Sequence, residues 1–193
     1  MDAVFAALSG FMLGSIPFGL ILTRAAGLGD VRSIGSGSIG ATNVLRTGNK
    51  GLAAATVLLD GLKGALPVLA AAHWWPGNEG LVAVAAVAGH CFTPWLAFKG
   101  GKGFATAAGV LGALAWPAML ACAGIWALVL AASRISSVSS MVTVIAAPLV
   151  AWALGYSEAI APLIAIAVIV IIQHRDNIGR LMRGQEPRLG AKK

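Results

Sequence analysis

Four short stretches carry most of the chemistry open to this chain, and they are built from glycine, hydroxyl, amide and basic residues. The first is Gly35-Ser36-Gly37-Ser38-Ile39-Gly40-Ala41-Thr42-Asn43, followed by Arg46. Its glycines permit positive φ and close approach, so backbone N–H groups can converge on an anion, with Ser36, Ser38, Thr42 and Asn43 adding donors. A phosphate cradle and a flexible polar turn both fit these residues. The glycines also match G-x-G-x-x-G, but no strand of a βαβ unit precedes them, and the acid about twenty residues on, Asp60, lies inside an apolar run. The dinucleotide reading fails.

The second stretch is Phe98-Lys99-Gly100-Gly101-Lys102-Gly103-Phe104. Lysines beside exposed backbone N–H groups at a helix start make an anion site, or else a headgroup anchor. It is not a Walker A loop, because Gly103 follows Lys102 and no glycine stands five residues before Gly101. In the third stretch, Arg134-Ile135-Ser136-Ser137-Val138-Ser139-Ser140, Ser137 and Ser140 share a helix face as binding residues or as caps. The fourth, Gln173-His174-Arg175-Asp176-Asn177-Ile178-Gly179-Arg180, sets His174 and Asn177 at i, i+3. His90 and His73 have weaker claims. Asp60 and Lys63, also at i, i+3 but within an apolar run, must face the protein interior as an internal ion pair or part of a polar cavity.

These loops need a scaffold, and composition dictates its kind. The 193 residues are 58% hydrophobic and 11% charged, against roughly a quarter charged in an average soluble domain. With a mean hydropathy of +0.85, the chain is read as one all-α polytopic membrane domain over 1–193. Apolar runs predict seven transmembrane helices near 3–23, 51–73, 81–98, 103–115, 117–133, 139–154 and 158–173. The stretch from Phe104 to Ala132 is divided at Trp116-Pro117, since proline cannot continue the helix bonds. The first run lacks the basic flank of a cleavable signal peptide and is expected to remain.

The net charge of +7 would suggest nucleic acid in a soluble domain. Here every Lys and Arg except Lys63 falls in the loops on one side or in the C-terminal tail. Topology therefore accounts for the excess, with the N-terminus outside, the C-terminus cytoplasmic and no nucleic-acid partner expected. Cys91 and Cys122 sit in apolar runs without metal-ligand spacing and are read as packing residues. Neither a metal nor a cofactor is expected. Several anion sites on one face, without a Cys–His pair or an acid dyad, point to an already activated phosphorylated donor and to catalysis by positioning and charge stabilisation.

The runs at 35–43 and 98–103, Leu59-Asp60-Gly61-Leu62-Lys63-Gly64, and His174-Arg175-Asp176-Asn177-Ile178 with Gly184-Gln185-Glu186 together resemble the bacterial acyl-phosphate:glycerol-3-phosphate acyltransferase family. The resemblance covers nearly the whole chain. It implies transfer of a fatty acyl group from acyl phosphate to glycerol 3-phosphate in phospholipid biosynthesis, seven spans in the bacterial inner membrane, and an active site facing the cytoplasm. It implies catalytic roles for Ser36, Arg46, Lys102, His174 and Asn177. Substrate-binding roles are expected for Gly37, Gly40, Thr42, Asn43, Lys63, Gly100, Gly101, Gly103, Ser137 and Ser140. Ser38, Phe104 and Asp176 depart from the family's usual Asn, Val and Glu. The expected partners are the two substrates and membrane lipids, with no obligatory protein partner. A small transporter of phosphorylated metabolites is the competing reading, but the outer loops lack binding chemistry and no inverted repeat is apparent.

Overall fold

The computed structural model describes residues 1–190; Lys192 and Lys193 of the basic tail lie outside the described residues. Those residues form ten α-helices and three short 3₁₀ turns, without a strand. The helices are α1 (Asp2–Gly14), α2 (Phe18–Ala25), α3 (Ala41–Val44), α4 (Lys50–Trp74), α5 (Glu79–Cys91), α6 (Phe104–Leu114), α7 (Trp116–Ser133), α8 (Ser136–Ala153), α9 (Ser157–Gln173) and α10 (Arg175–Met182).

Five helical units are long and apolar enough to cross a membrane, and a sixth is added if α9 and α10 count as one. The expected spans differ in three places. The first run is broken at Ile16-Pro17 into α1 and α2, because proline cannot supply an N–H to the helix ladder. The run 81–98 is α-helical only as far as Cys91; Pro94 then opens a 3₁₀ turn, and Ala97 and Phe98 both adopt positive φ. The helix α6 has 11 residues, about 16 Å at the usual helical rise and roughly half of a hydrocarbon core. The division at Trp116-Pro117 falls where the proline predicts it, between α6 and α7.

Packing reverses the habit of a water-soluble bundle. Large side chains such as Leu128, Leu149 and Trp152 point outward, while Ala6, Ala71, Ala83, Ala86 and several valines fill the interior. Small residues let backbones meet where lipid offers no hydrophobic drive for association. At α1–α5, a Cβ on Gly14 would strike the Ala86 backbone; at α4–α6, one on Gly109 would strike the Gly61 carbonyl. These two close pairs bring the α1–α2 break, the middle of α4 and the ends of α5 and α6 together beneath the polar loops. At the far side, α9 and α10 meet at a 57° bend centred on His174.

Candidate active site

The first loop is organised around one side chain. Asn43, buried, donates through Nδ2 to the carbonyls of Val31 (2.7 Å), Ser38 (2.8 Å) and Ile34 (3.1 Å). Its Oδ1 accepts from the Ser36 N–H at 3.1 Å and from Arg46 Nη1 at 3.3 Å. Through these contacts Asn43 serves as the loop's internal scaffold. Gly35 must be glycine: its φ is +57°, and a Cβ there would collide with the Arg46 guanidinium and Asn43 Oδ1. Gly37, at φ +69°, bounds Ser36 on the other side.

Part of the loop's backbone is committed internally. The Ser36, Gly37 and Gly40 N–H groups bond within the loop, to Asn43, to the Ile34 carbonyl and to Ser38 Oγ. What the first loop can offer an anion is the Ser36 hydroxyl, the Arg46 guanidinium and the N–H of the cleft-lining Ser38, which has no acceptor among the described residues. Arg24 and Arg32 are already committed to Asp30, at 2.9 and 2.6 Å, and those contacts hold that carboxyl well below its usual range.

The second loop supplies further backbone donors. Gly100 and Gly101 donate to the Cys91 and His90 carbonyls, each at 3.0 Å, which turns the chain back against the end of α5. A Cβ on Gly100 would strike the His90 carbonyl, and one on Gly101 the His90 imidazole, so these glycines serve close packing first. By contrast, neither the Lys102 nor the Gly103 N–H has an acceptor among the described residues. Gly103, at φ +85°, lets α6 begin there with its unpaired N–H groups facing the loop.

Ser36, Gly37, Gly100, Gly101 and Lys102 line one cleft of about 280 Å³, closed on its third side by Gln173, Arg175 and Asp176. Burial, with the charges of Arg180 and Arg46 against those of Glu186 and Asp176, lowers the Lys102 ammonium to about 8. An anion placed there would offset that penalty, so a buried lysine among arginines is poised for phosphate.

His174 and Asn177, both buried, lie at the bend behind the cleft-lining Arg175 and Asp176. The His174 Nδ1 is 2.7 Å from the Val170 carbonyl, so Nδ1 carries the proton and Nε2 keeps its lone pair. Burial, outweighing this hydrogen bond, lowers its pKa, and the imidazole is neutral at pH 7. Asn177 Nδ2, Ser137 Oγ and Arg180 Nε all donate to the carboxylate of Glu186. Burial pushes that carboxyl upward, but the three donors and the Arg180 charge together hold it below its ordinary value. Glu186 and Arg180 were not among the expected site residues; their sequence signals were the Gly184-Gln185-Glu186 run and the end of the fourth stretch.

The remaining expectations divide. Thr42 approaches Ser136 Oγ at 3.4 Å and Ser140 is buried in α8; neither lines the cleft. Lys63 lies beneath the cleft, bound to Asp60 at 2.7 Å and to the Ile16 carbonyl at 2.6 Å. Its partners here are internal and it does not line the cleft, because the middle of α4 faces the bundle interior.

The model of a family described as glycerol-3-phosphate acyltransferase matches residues 4–184. A protein of that name from Erythrobacter litoralis is 58% identical over 192 residues, covering 100% of this chain and 98% of the relative. One from Methylorubrum extorquens is 54% identical, over 95% of this chain and 91% of the relative. Crystal structures of PlsY, an integral membrane glycerol 3-phosphate acyltransferase, superpose with TM-scores of 0.92 for its glycerol 3-phosphate form and 0.90 for its lysophosphatidic acid form. Their identities are 35% and 34%, and each covers 98% of this chain and 96% of PlsY. With this span of sequence and fold shared, the chain belongs to the glycerol-3-phosphate acyltransferase family of integral membrane enzymes.

Proposed function

We propose that the protein transfers a fatty acyl group from acyl phosphate to the 1-hydroxyl of glycerol 3-phosphate, releasing lysophosphatidic acid and inorganic phosphate. The observation that carries this reading is the cleft lined by both Ser36 and Lys102, where the Lys102 N–H has no acceptor among the described residues. Support comes from the two PlsY forms, one with the acceptor and one with the product of this reaction.

In the reaction, the acceptor hydroxyl oxygen attacks the acyl carbonyl carbon. The new ester C–O bond forms, the acyl–phosphate C–O bond breaks, and phosphate departs with the electron pair. Lys102 and Arg46 neutralise phosphate oxygens, and the Ser36 hydroxyl fixes the phosphate's position. The hydroxyl proton passes to His174 Nε2 or to a substrate phosphate, and Asn177 helps to orient the acceptor. An apolar groove of about 340 Å³ between α8 and α9, lined by Ile145, Pro148, Ile164 and Ile171, gives the acyl chain a lateral path toward lipid.

In the proposed topology seven segments enter or cross the bacterial inner membrane: α1–α2, α4, α5, α6, α7, α8 and α9. The N-terminus is outside and the cleft faces the cytoplasm, so that the basic loops follow the positive-inside rule. The donor is tested by giving purified protein glycerol 3-phosphate with acyl phosphate, acyl-CoA or acyl carrier protein. Product from acyl phosphate alone supports the reading; equal rates from a thioester donor contradict it.

A further inference from the structure

Beneath the cleft lies a buried polar cluster that the reaction does not use. Lys63 Nζ and Asp60 Oδ1 are 2.7 Å apart, and His90 Nδ1 is 3.8 Å from the same oxygen. All three side chains are almost completely buried. Among the described residues, His90 Nδ1 has no hydrogen-bond partner, and the nearest oxygen facing it is the Lys63-paired Asp60 Oδ1. An ion pair at this depth is costly and needs a reason to be kept.

The cluster touches both substrate loops through named contacts. The other ring nitrogen of His90, Nε2, backs directly onto Gly101, and the His90 carbonyl receives the Gly101 N–H. On the opposite side, Lys63 donates at 2.6 Å to the Ile16 carbonyl at the α1–α2 break, which also accepts from the Phe18 N–H at 3.1 Å. The neighbouring Ser15 carbonyl receives Thr93 Oγ1 at 2.7 Å, and Ser15 Oγ receives Trp95 Nε1 at 2.9 Å, tying the same break to the approach of the second loop. From the break, α2 runs to the first loop, where Gly19 packs directly on the Ile39 carbonyl.

We infer that Asp60, Lys63 and His90 form a positioning network that sets the second phosphate-binding loop and its distance from the first. Asp60 faces His90 Nδ1 across 3.8 Å and through that polar contact holds the imidazole on which Gly101 rests. Lys63 neutralises Asp60 and holds the α1–α2 break. None of the three meets substrate. The inference rests on the proposal that Lys102 and its loop hold a substrate phosphate.

The test compares kcat and KM for glycerol 3-phosphate, with thermal unfolding in detergent, for wild type, His90→Leu, His90→Asn and Lys102→Met. Asparagine keeps a donor near the Nδ1 position, while leucine keeps only bulk. His90→Leu should raise KM by at least about tenfold, since small displacements of positioning groups cost factors of this size or more, with kcat changed less. His90→Asn should recover most of that loss at equal thermal stability. If His90→Leu does not fold, Asp60→Leu/Lys63→Met removes the pair without stranding a charge and must show the same rise in KM. Wild-type KM in the folded variant, or equal defects in leucine and asparagine, overturns the network. Wild-type KM in Lys102→Met instead overturns the underlying reading of the loop.

Discussion

Asn177 Nδ2 donates to Glu186 Oε1 across 2.5 Å, and this contact anchors the chain after α10 to the base of the bend. Ser137 Oγ donates to the same oxygen and Arg180 Nε to the other, each at 2.7 Å, so one carboxylate joins α8 to α10. The Leu189 N–H adds a second stitch to the Arg134 carbonyl at 2.7 Å. Glu186→Ala strands three donors and should cost about 1–3 kcal/mol of stability, read by thermal unfolding, together with most of the activity. Because the folded-state pKa is depressed, the carboxylate's stabilisation is present above the unfolded value of about 4.5 and is lost as pH falls through the lower folded one. Glu186→Gln should therefore flatten the acid limb of the stability profile.

Lys102 predicts the alkaline limb of binding. In the proposed reaction its ammonium form holds phosphate, and its pKa of about 8 means that this form is present below pH 8 and lost above it in the free enzyme. KM for glycerol 3-phosphate should rise as pH passes 8. Lys102→Arg should keep its charge and move the rise upward, even if kcat falls; an unchanged limb would detach it from Lys102.

How much of this was legible in the sequence varied with the distance over which each residue acts. The α6–α7 division was readable because Pro117 acts within its own turn. The break at Pro17 was hidden by the continuous apolar run around it, and the end of α5 was overlooked although Phe92-Thr93-Pro94 marked it. The convergence of Ser36 and Lys102 followed from motif type and loop side. The work of Asn43 did not, since an amide in a polar loop looks the same whether it faces a ligand or its own backbone. Glu186 was hardest: its partner Ser137 is 49 residues away, and a lone acid in a basic tail carries no local pattern.

His174 separates two proton routes. His174→Ala should remove most turnover in a folded protein. His174→Gln retains hydrogen bonding but cannot take up a proton near neutral pH. Substantial activity in His174→Gln assigns orientation to His174 and the proton to a substrate phosphate; inactivity equal to His174→Ala assigns it to Nε2. Full activity in His174→Ala would remove the residue from the site.

Topology gives an independent check. A cysteine replacing Asn78 should be labelled by an impermeant reagent from outside intact cells, and one replacing Gly190 only after the membrane is opened. The reversed pattern would place the cleft on the wrong side for its proposed substrates.

The central claim, phosphate-anchored acyl transfer at the joined loops, is tested most directly by measuring lysophosphatidic acid and inorganic phosphate together. Purified wild type and Lys102→Met receive acyl phosphate and glycerol 3-phosphate under identical conditions, and the folding of both is checked by thermal unfolding. The account predicts equal amounts of the two products from wild type and a loss of at least about a hundredfold in kcat/KM for Lys102→Met, the scale typical of a removed charge-stabilising group. Phosphate release without lysophosphatidic acid, or a Lys102→Met protein as active as wild type, would contradict it.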